Sequence, residues 1–122
     1  MIYFLPCIMI QEKNQIVLEV TLDENKIPSQ ITWLAQDGPE AGIKQEVKAF
    51  LLSLYDGSNR DTLKIDLWTK DFQVHEMNQM IYFTLKSLSE TYLNATGNKE
   101  LATDMRRFSD YFAEKSQPKE NE

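Results

Sequence analysis

From Gln15 onward the chain alternates: Ile16, Leu18, Val20 and Leu22 share one face of an extended segment, with Val17, Glu19 and Thr21 on the other. That period of two marks a strand with one face turned toward a core. Asp23-Glu24-Asn25-Lys26 has the composition of a turn. A second strand is expected from Ser29 to Gln36, with Ile31, Trp33 and Ala35 on its inner face and Pro28 limiting hydrogen bonding at its start. The stretch from Asp37 to Gly42 holds two glycines and a proline, which rule out regular structure and predict a flexible surface loop. Residues 46–56 satisfy two patterns at once. Val47, Phe50, Leu51 and Leu54 fit a helical stripe, whereas Val47, Ala49, Leu51 and Tyr55 fit one face of a strand. The compact turn from Asp56 to Arg60, followed by strict alternation of Leu63, Ile65 and Leu67, favours a hairpin; a short helix is the alternative.

After Asp71 the period changes. Met77, Ile81, Thr84, Leu85, Leu88 and Tyr92 recur at three and four, the buried stripe of a helix of about five turns, with Asp71 expected as its cap. Gly97 ends it, because glycine tolerates the left-handed conformation that closes a helix. Asn98 can then cap a second helix with the stripe Leu101, Met105, Phe108 and Phe112. The expected fold is therefore α+β: a four-stranded antiparallel sheet covered on one face by two C-terminal helices. The order resembles that of the export chaperone SecB, four antiparallel strands and then a long helix, a likeness of element order only. The expected domain map is an atypical N-terminal extension over residues 1–13, a single α+β domain over 14–115 and a disordered tail over 116–122.

Composition supports one ordered domain. The chain has 122 residues, 42% hydrophobic and 26% charged, enough for one core and too few for two. Its net charge of −6 opposes binding to nucleic acid and to anionic lipid by long-range repulsion. A single cysteine, Cys7, leaves no intrachain disulfide and no cysteine cluster for a metal, which fits a reducing cytoplasm. The apolar opening from Met1 to Ile10 lacks a preceding basic residue and is too short to cross a bilayer, and Leu5-Pro6-Cys7 lacks the small residues of a lipoprotein cleavage site. Targeting is therefore the weaker reading of this segment, against a natural start at Met9 or a frayed or edge strand.

The residues offer little for catalysis. The only histidine, His75, stands beside Glu76 at a helix start, and adjacent helical residues point about a hundred degrees apart, so the two do not converge on one proton or metal. An exposed first-turn histidine, with Glu76 complementing the helix dipole, is the simpler reading. Asp66, Asp71, Asp37 and Glu40 lack the spacing of a calcium loop. There is no phosphate-cradling glycine loop, no Cys-x-x-Cys, no serine elbow and no His-Glu-x-x-His. No catalytic, cofactor-binding or metal-ligating residue is expected. Arg106-Arg107 beside Asp104 and Asp110 reads as a solvated helix face, and Met77, Met80 and Met105 as packing. The candidate protein-binding residues are the tryptophans. Trp33 precedes the glycine loop, and Trp68 lies on the face opposite Leu63, Ile65 and Leu67, where a large aromatic offers contact area at little entropic cost.

Several blocks in a fixed order carry a resemblance: Leu22-Asp23-Glu24-Asn25-Lys26-Ile27-Pro28, Ile31-Thr32-Trp33, Asp37-Gly38, the run from Thr62 to Asp71 with Glu76-Met77, and the run from Phe108 to Lys115. Together they resemble the GldC family of gliding-motility proteins, over about Ile16 to Ser116. The family pattern begins close to the first strand, so residues 1–8 depart from it. The resemblance implies a small soluble accessory protein of gliding Bacteroidetes, acting in the cytoplasm with the surface-motility machinery linked to type IX secretion, with no established catalytic residue. The expected function is a non-enzymatic interaction module whose partners are proteins, gliding-machinery components among them. It binds no nucleic acid and does not insert into a membrane, and a homo-oligomer is compatible with it. A SecB-like chaperone that holds clients is the second reading, and an enzyme of unknown type the third.

Overall fold

A computed structural model describes residues 12–37 and 41–117. The expectations for residues 1–11, for the centre of the glycine loop at 38–40 and for the tail from 118 on lie outside the described residues. The chain divides into two compact units, a strand unit that ends at Asp71 and a helical unit that begins at Phe72.

The strand unit contains β1 (Ile16–Leu22), β2 (Pro28–Ala35), β3 (Gln45–Val47), β4 (Ala49–Asp56) and β5 (Asp61–Trp68). All neighbours are antiparallel, in two sheets: β1-β2-β3 and β4-β5. The single four-stranded sheet expected from the sequence is thus corrected. Residues 46–56 are extended as expected, but Lys48 interrupts the third strand. On one side of it Val47 pairs with Ile31 of β2, and on the other Ala49 pairs with Trp68 of β5. The break also explains why that segment satisfied two patterns. Before Lys48 the apolar position is odd, Val47, opposite Ile31; after it the apolar positions are even, with Phe50, Leu52 and Leu54 opposite Leu67, Ile65 and Leu63. A one-residue irregularity in a period of two moves the whole apolar set to the other parity.

Opposite residues in an antiparallel ladder share a face. Leu18 opposite Trp33, and Val20 and Val47 flanking Ile31, therefore form the apolar face of the first sheet. Ile31 at its centre is fully buried, at 0% exposure. The turn from β1 to β2 is held by Asp23, whose carboxylate accepts from the N–H groups of Asn25 at 2.8 Å and Ile27 at 3.0 Å, while Lys26 takes a left-handed φ of 63°. Asp56 opens the β4–β5 hairpin in the same manner, accepting from Ser58 N–H at 2.9 Å.

In the helical unit, α1 (Val74–Thr96) and α2 (Lys99–Ser116) form an antiparallel pair. Gln73, not Asp71, is the N-cap of α1, and the Glu76 carboxylate reaches back to accept from Gln73 N–H at 3.0 Å. Gly97 closes α1 with φ at 72°, donating to Leu93 O at 2.8 Å, and Asn98 Oδ1 caps α2 by accepting from Leu101 N–H at 3.1 Å, both as expected. The buried line differs from the expected stripe. Ser89, Ala102 and Ser109 are buried, whereas Leu88, Leu101 and Phe108 are about half exposed. Ala102 and Ser109 share one face of α2 with the half-buried Met105 and Phe112, at spacings of three and four, and small side chains on such a face let a neighbouring backbone approach. Both serines are satisfied within their own helix, Ser89 donating to Lys86 O at 2.6 Å and Ser109 to Arg106 O at 2.7 Å.

Candidate functional site

Trp68 is the last residue of β5 and stands where the two sheets meet. Thr69 N–H donates to Lys48 O at 2.8 Å, extending the β4–β5 ladder by one step. Lys70 N–H then donates to Pro28 O at 3.0 Å, at the first residue of β2. The Lys70 ammonium completes the junction, 3.0 Å from the Asp23 carboxylate. Two backbone bonds and one ion pair therefore stitch the end of β5 to the break at Lys48 and to the β1–β2 turn. Trp68 is 49% exposed on this junction and borders a shallow groove of about 280 Å³ with Ile27, Pro28, Leu67 and Lys70.

The charges here hold the junction's shape. The Ile27 N–H, foremost, and then the Lys70 ammonium keep the Asp23 carboxyl below its usual pKa. Asp71, freed from the capping role, accepts a 2.5 Å hydrogen bond from the Thr69 hydroxyl, which lowers its pKa in turn. Thr69 itself is 3% exposed. Asp66 lies 3.3 Å from the Lys64 ammonium, two positions along the same strand.

The two tryptophans do not form one site. Trp33 is half-buried on the apolar face of β2, five residues past Pro28 and so about 17 Å along the strand from the junction. His75 is exposed in the first turn of α1 and borders an open groove of about 530 Å³ between the two helices, with Tyr82, Phe83 and Ala113. Among the described residues the groove is lined by no carboxylate, and its Ser116 hydroxyl donates to Ala113 O. Among the described residues no three histidine, cysteine, aspartate or glutamate side chains cluster as metal ligands, and no helix is long and apolar enough to cross a membrane.

Sequence reasoning missed the bridge between Asp23 and Lys70. The residues are 47 positions apart, and neither pattern nor spacing links them. The one available signal is that both fall inside blocks that carry the family resemblance.

These features define a small α+β chain with an exposed indole at the junction of two antiparallel sheets and a polar network that serves the fold. The chain belongs to the GldC-like family of gliding motility-associated proteins, whose model matches residues 28–118. No curated protein and no solved structure matches it. The matched span starts at Pro28, the acceptor of the Lys70 bond, and takes in Trp33, Trp68 and both helices.

Proposed function

We propose that the chain is a non-enzymatic interaction module of the gliding apparatus, acting in the cytoplasm on protein partners linked to type IX secretion. Membership of a gliding-motility family carries this reading. The half-exposed Trp68 in its shallow groove supplies the anchor, since aromatics buried on binding dominate the energetics of protein interfaces. The net charge of −6 favours basic protein surfaces over nucleic acid as partners. Tagged chain captured from a gliding bacterium should recover a small set of motility components, and Trp68→Ala should lose them while remaining folded. Capture of the same set by the alanine variant would remove Trp68 from the interface, and recovery of no motility component would reject the reading.

A second reading, a chaperone that holds unfolded clients, draws support from the apolar side chains left accessible on both units, among them Leu54 and Leu63 on the strands and Phe83 and Phe108 on the helices. Suppression of aggregation of an unrelated unfolded protein at stoichiometric ratio is its test. A chain that leaves aggregation unchanged is not a holdase.

A further inference from the structure

The groove beside Trp68 takes its walls from two sheets. Asp66, Leu67, Trp68 and Lys70, at the end of β5, form one wall, and Ile27 and Pro28, where the β1–β2 turn enters β2, form the other. Directly across the ladder from Trp68 stands Ala49, whose methyl group covers little of an indole. How much of the 49%-exposed Trp68 is covered therefore follows from how closely the turn approaches the end of β5.

Lys70 spans that gap twice. Its N–H donates to Pro28 O at 3.0 Å, and its ammonium lies 3.0 Å from the Asp23 carboxylate. Asp23 in turn grips the second wall from behind: Oδ1 accepts from Asn25 N–H at 2.8 Å and from Ile27 N–H at 3.0 Å, while Oδ2 accepts from Lys70. The carboxylate thus divides its oxygens. One sets the conformation of the turn, and the other ties that turn to β5. A charged acceptor can serve several donors at once, and a hydrogen bond between charged groups is about twice as strong as a neutral one.

The backbone bond to Pro28 fixes one point and leaves the turn free to pivot about it. The second tie, at Asp23 on the other side of the turn, removes that freedom. The Asp23 side chain is 18% exposed against 57% for Lys70, so the carboxylate is the sheltered end of the pair and the ammonium the reaching one. The neighbouring pair differs in kind. Lys64 and Asp66, 3.3 Å apart, both belong to β5, so their contact cannot set the distance between the walls.

From this division of labour we infer that Asp23 and Lys70 are positioning residues for Trp68: their ion pair holds the β1–β2 turn against the end of β5 and so sets how much of the indole a partner meets. The inference rests on the proposed function only for what the groove is used for. The geometry is measurable on the chain alone.

In a Trp33→Phe background Trp68 is the sole indole, and acrylamide quenching of its fluorescence reads its accessibility. Lys70→Met keeps the stem and the N–H bond to Pro28 but removes the ammonium, and Asp23→Asn keeps an oxygen for the turn but removes the charge. Each should raise the quenching constant, toward a ceiling of about twice the parent value because 49% of the residue is exposed at the outset. The double variant should rise no further, since both changes break one contact. Lys70→Arg, which keeps a cation, should match the parent, and Lys64→Met, which breaks the pair confined to β5, should leave Trp68 as it is. Circular dichroism and the urea slope verify folding. Should Trp33→Phe or Asp23→Asn fail to fold, water exchange of the Trp68 indole N–H in isotope-labelled chain, assigned by its loss in Trp68→Phe, makes the same comparison for Lys70→Met, Lys70→Arg and Lys64→Met. Unchanged accessibility in Lys70→Met, additive effects in the double variant, an arginine variant that behaves like the methionine one, or an equal effect of Lys64→Met would each overturn the positioning role. Such a failure leaves Trp68 standing as an anchor, whereas recovery of no motility component rejects the anchor and leaves the positioning pair intact.

Discussion

Replacing Trp68 by alanine measures how much of that indole works for the fold. A large aromatic buries 150–250 Å² when fully enclosed, and Trp68 retains 49% of its surface to solvent. About 100 Å² is therefore removed from water, which at about 25 cal/mol per Å² amounts to roughly 2.5 kcal/mol. Residual burial in the unfolded chain trims this to about 2 kcal/mol. Full enclosure would instead give about 3–5 kcal/mol on truncation. Both tryptophans lie in the strand unit, so in Trp68→Ala the remaining indole, Trp33, reports unfolding of that unit by fluorescence in a urea titration. The denaturation midpoint should fall with an unchanged slope, since the unfolded chain exposes nearly the same surface. A loss above 4 kcal/mol would mean that Trp68 is enclosed, and a loss below 0.5 kcal/mol that it packs against nothing; either result refutes the reasoning.

Asp23 should make the strand unit acid-sensitive. Its folded pKa is lowered by the Ile27 N–H and then by Lys70, so its contribution is present at neutral pH and is lost as pH falls below about 3.9 toward the folded value. Asp23→Asn should flatten that part of a plot of midpoint against pH; an unchanged slope would show that the carboxylate is not held. Gly97→Ala has open space for its methyl group but forces an alanine to a φ of 72°, and should cost about 1 kcal/mol in the melt at 222 nm. Asn98→Ala removes the acceptor for Leu101 N–H and should cost about 1 kcal/mol in the same assay. Ser109→Leu inserts volume into a fully buried position between helices and should cost about 1–3 kcal/mol, whereas Phe108→Ser should cost far less; the reverse order would put the expected stripe back at the interface.

Gliding-motility membership sits comfortably with a fold whose polar groups are spent on turns, caps and the sheet junction. Asp23, Asp56, Glu76, Asn98, Ser89 and Ser109 each hold a local backbone group, and Lys70 joins the ends of distant strands. Exposed apolar and aromatic side chains, among them Trp68, Phe83 and Phe108, remain available for recognition.

Alternation placed β1 at Ile16–Leu22, and glycine and asparagine chemistry placed the helix boundary at Gly97 and Asn98. These are short-range facts: a period of two, a left-handed position, an oxygen three residues from an N–H. The family blocks between Leu22 and Lys115 were legible as well. Only tertiary structure decided where the third strand breaks, because Lys48 is an ordinary strand residue until β2 and β5 compete for its two sides. It also decided that Asp23 meets Lys70, that Asp71 serves Thr69 and leaves α1 to Gln73, and that Ser109 is buried in preference to Phe108. Each of those choices depends on the separation of two segments in space, which hydrophobicity along one chain does not encode.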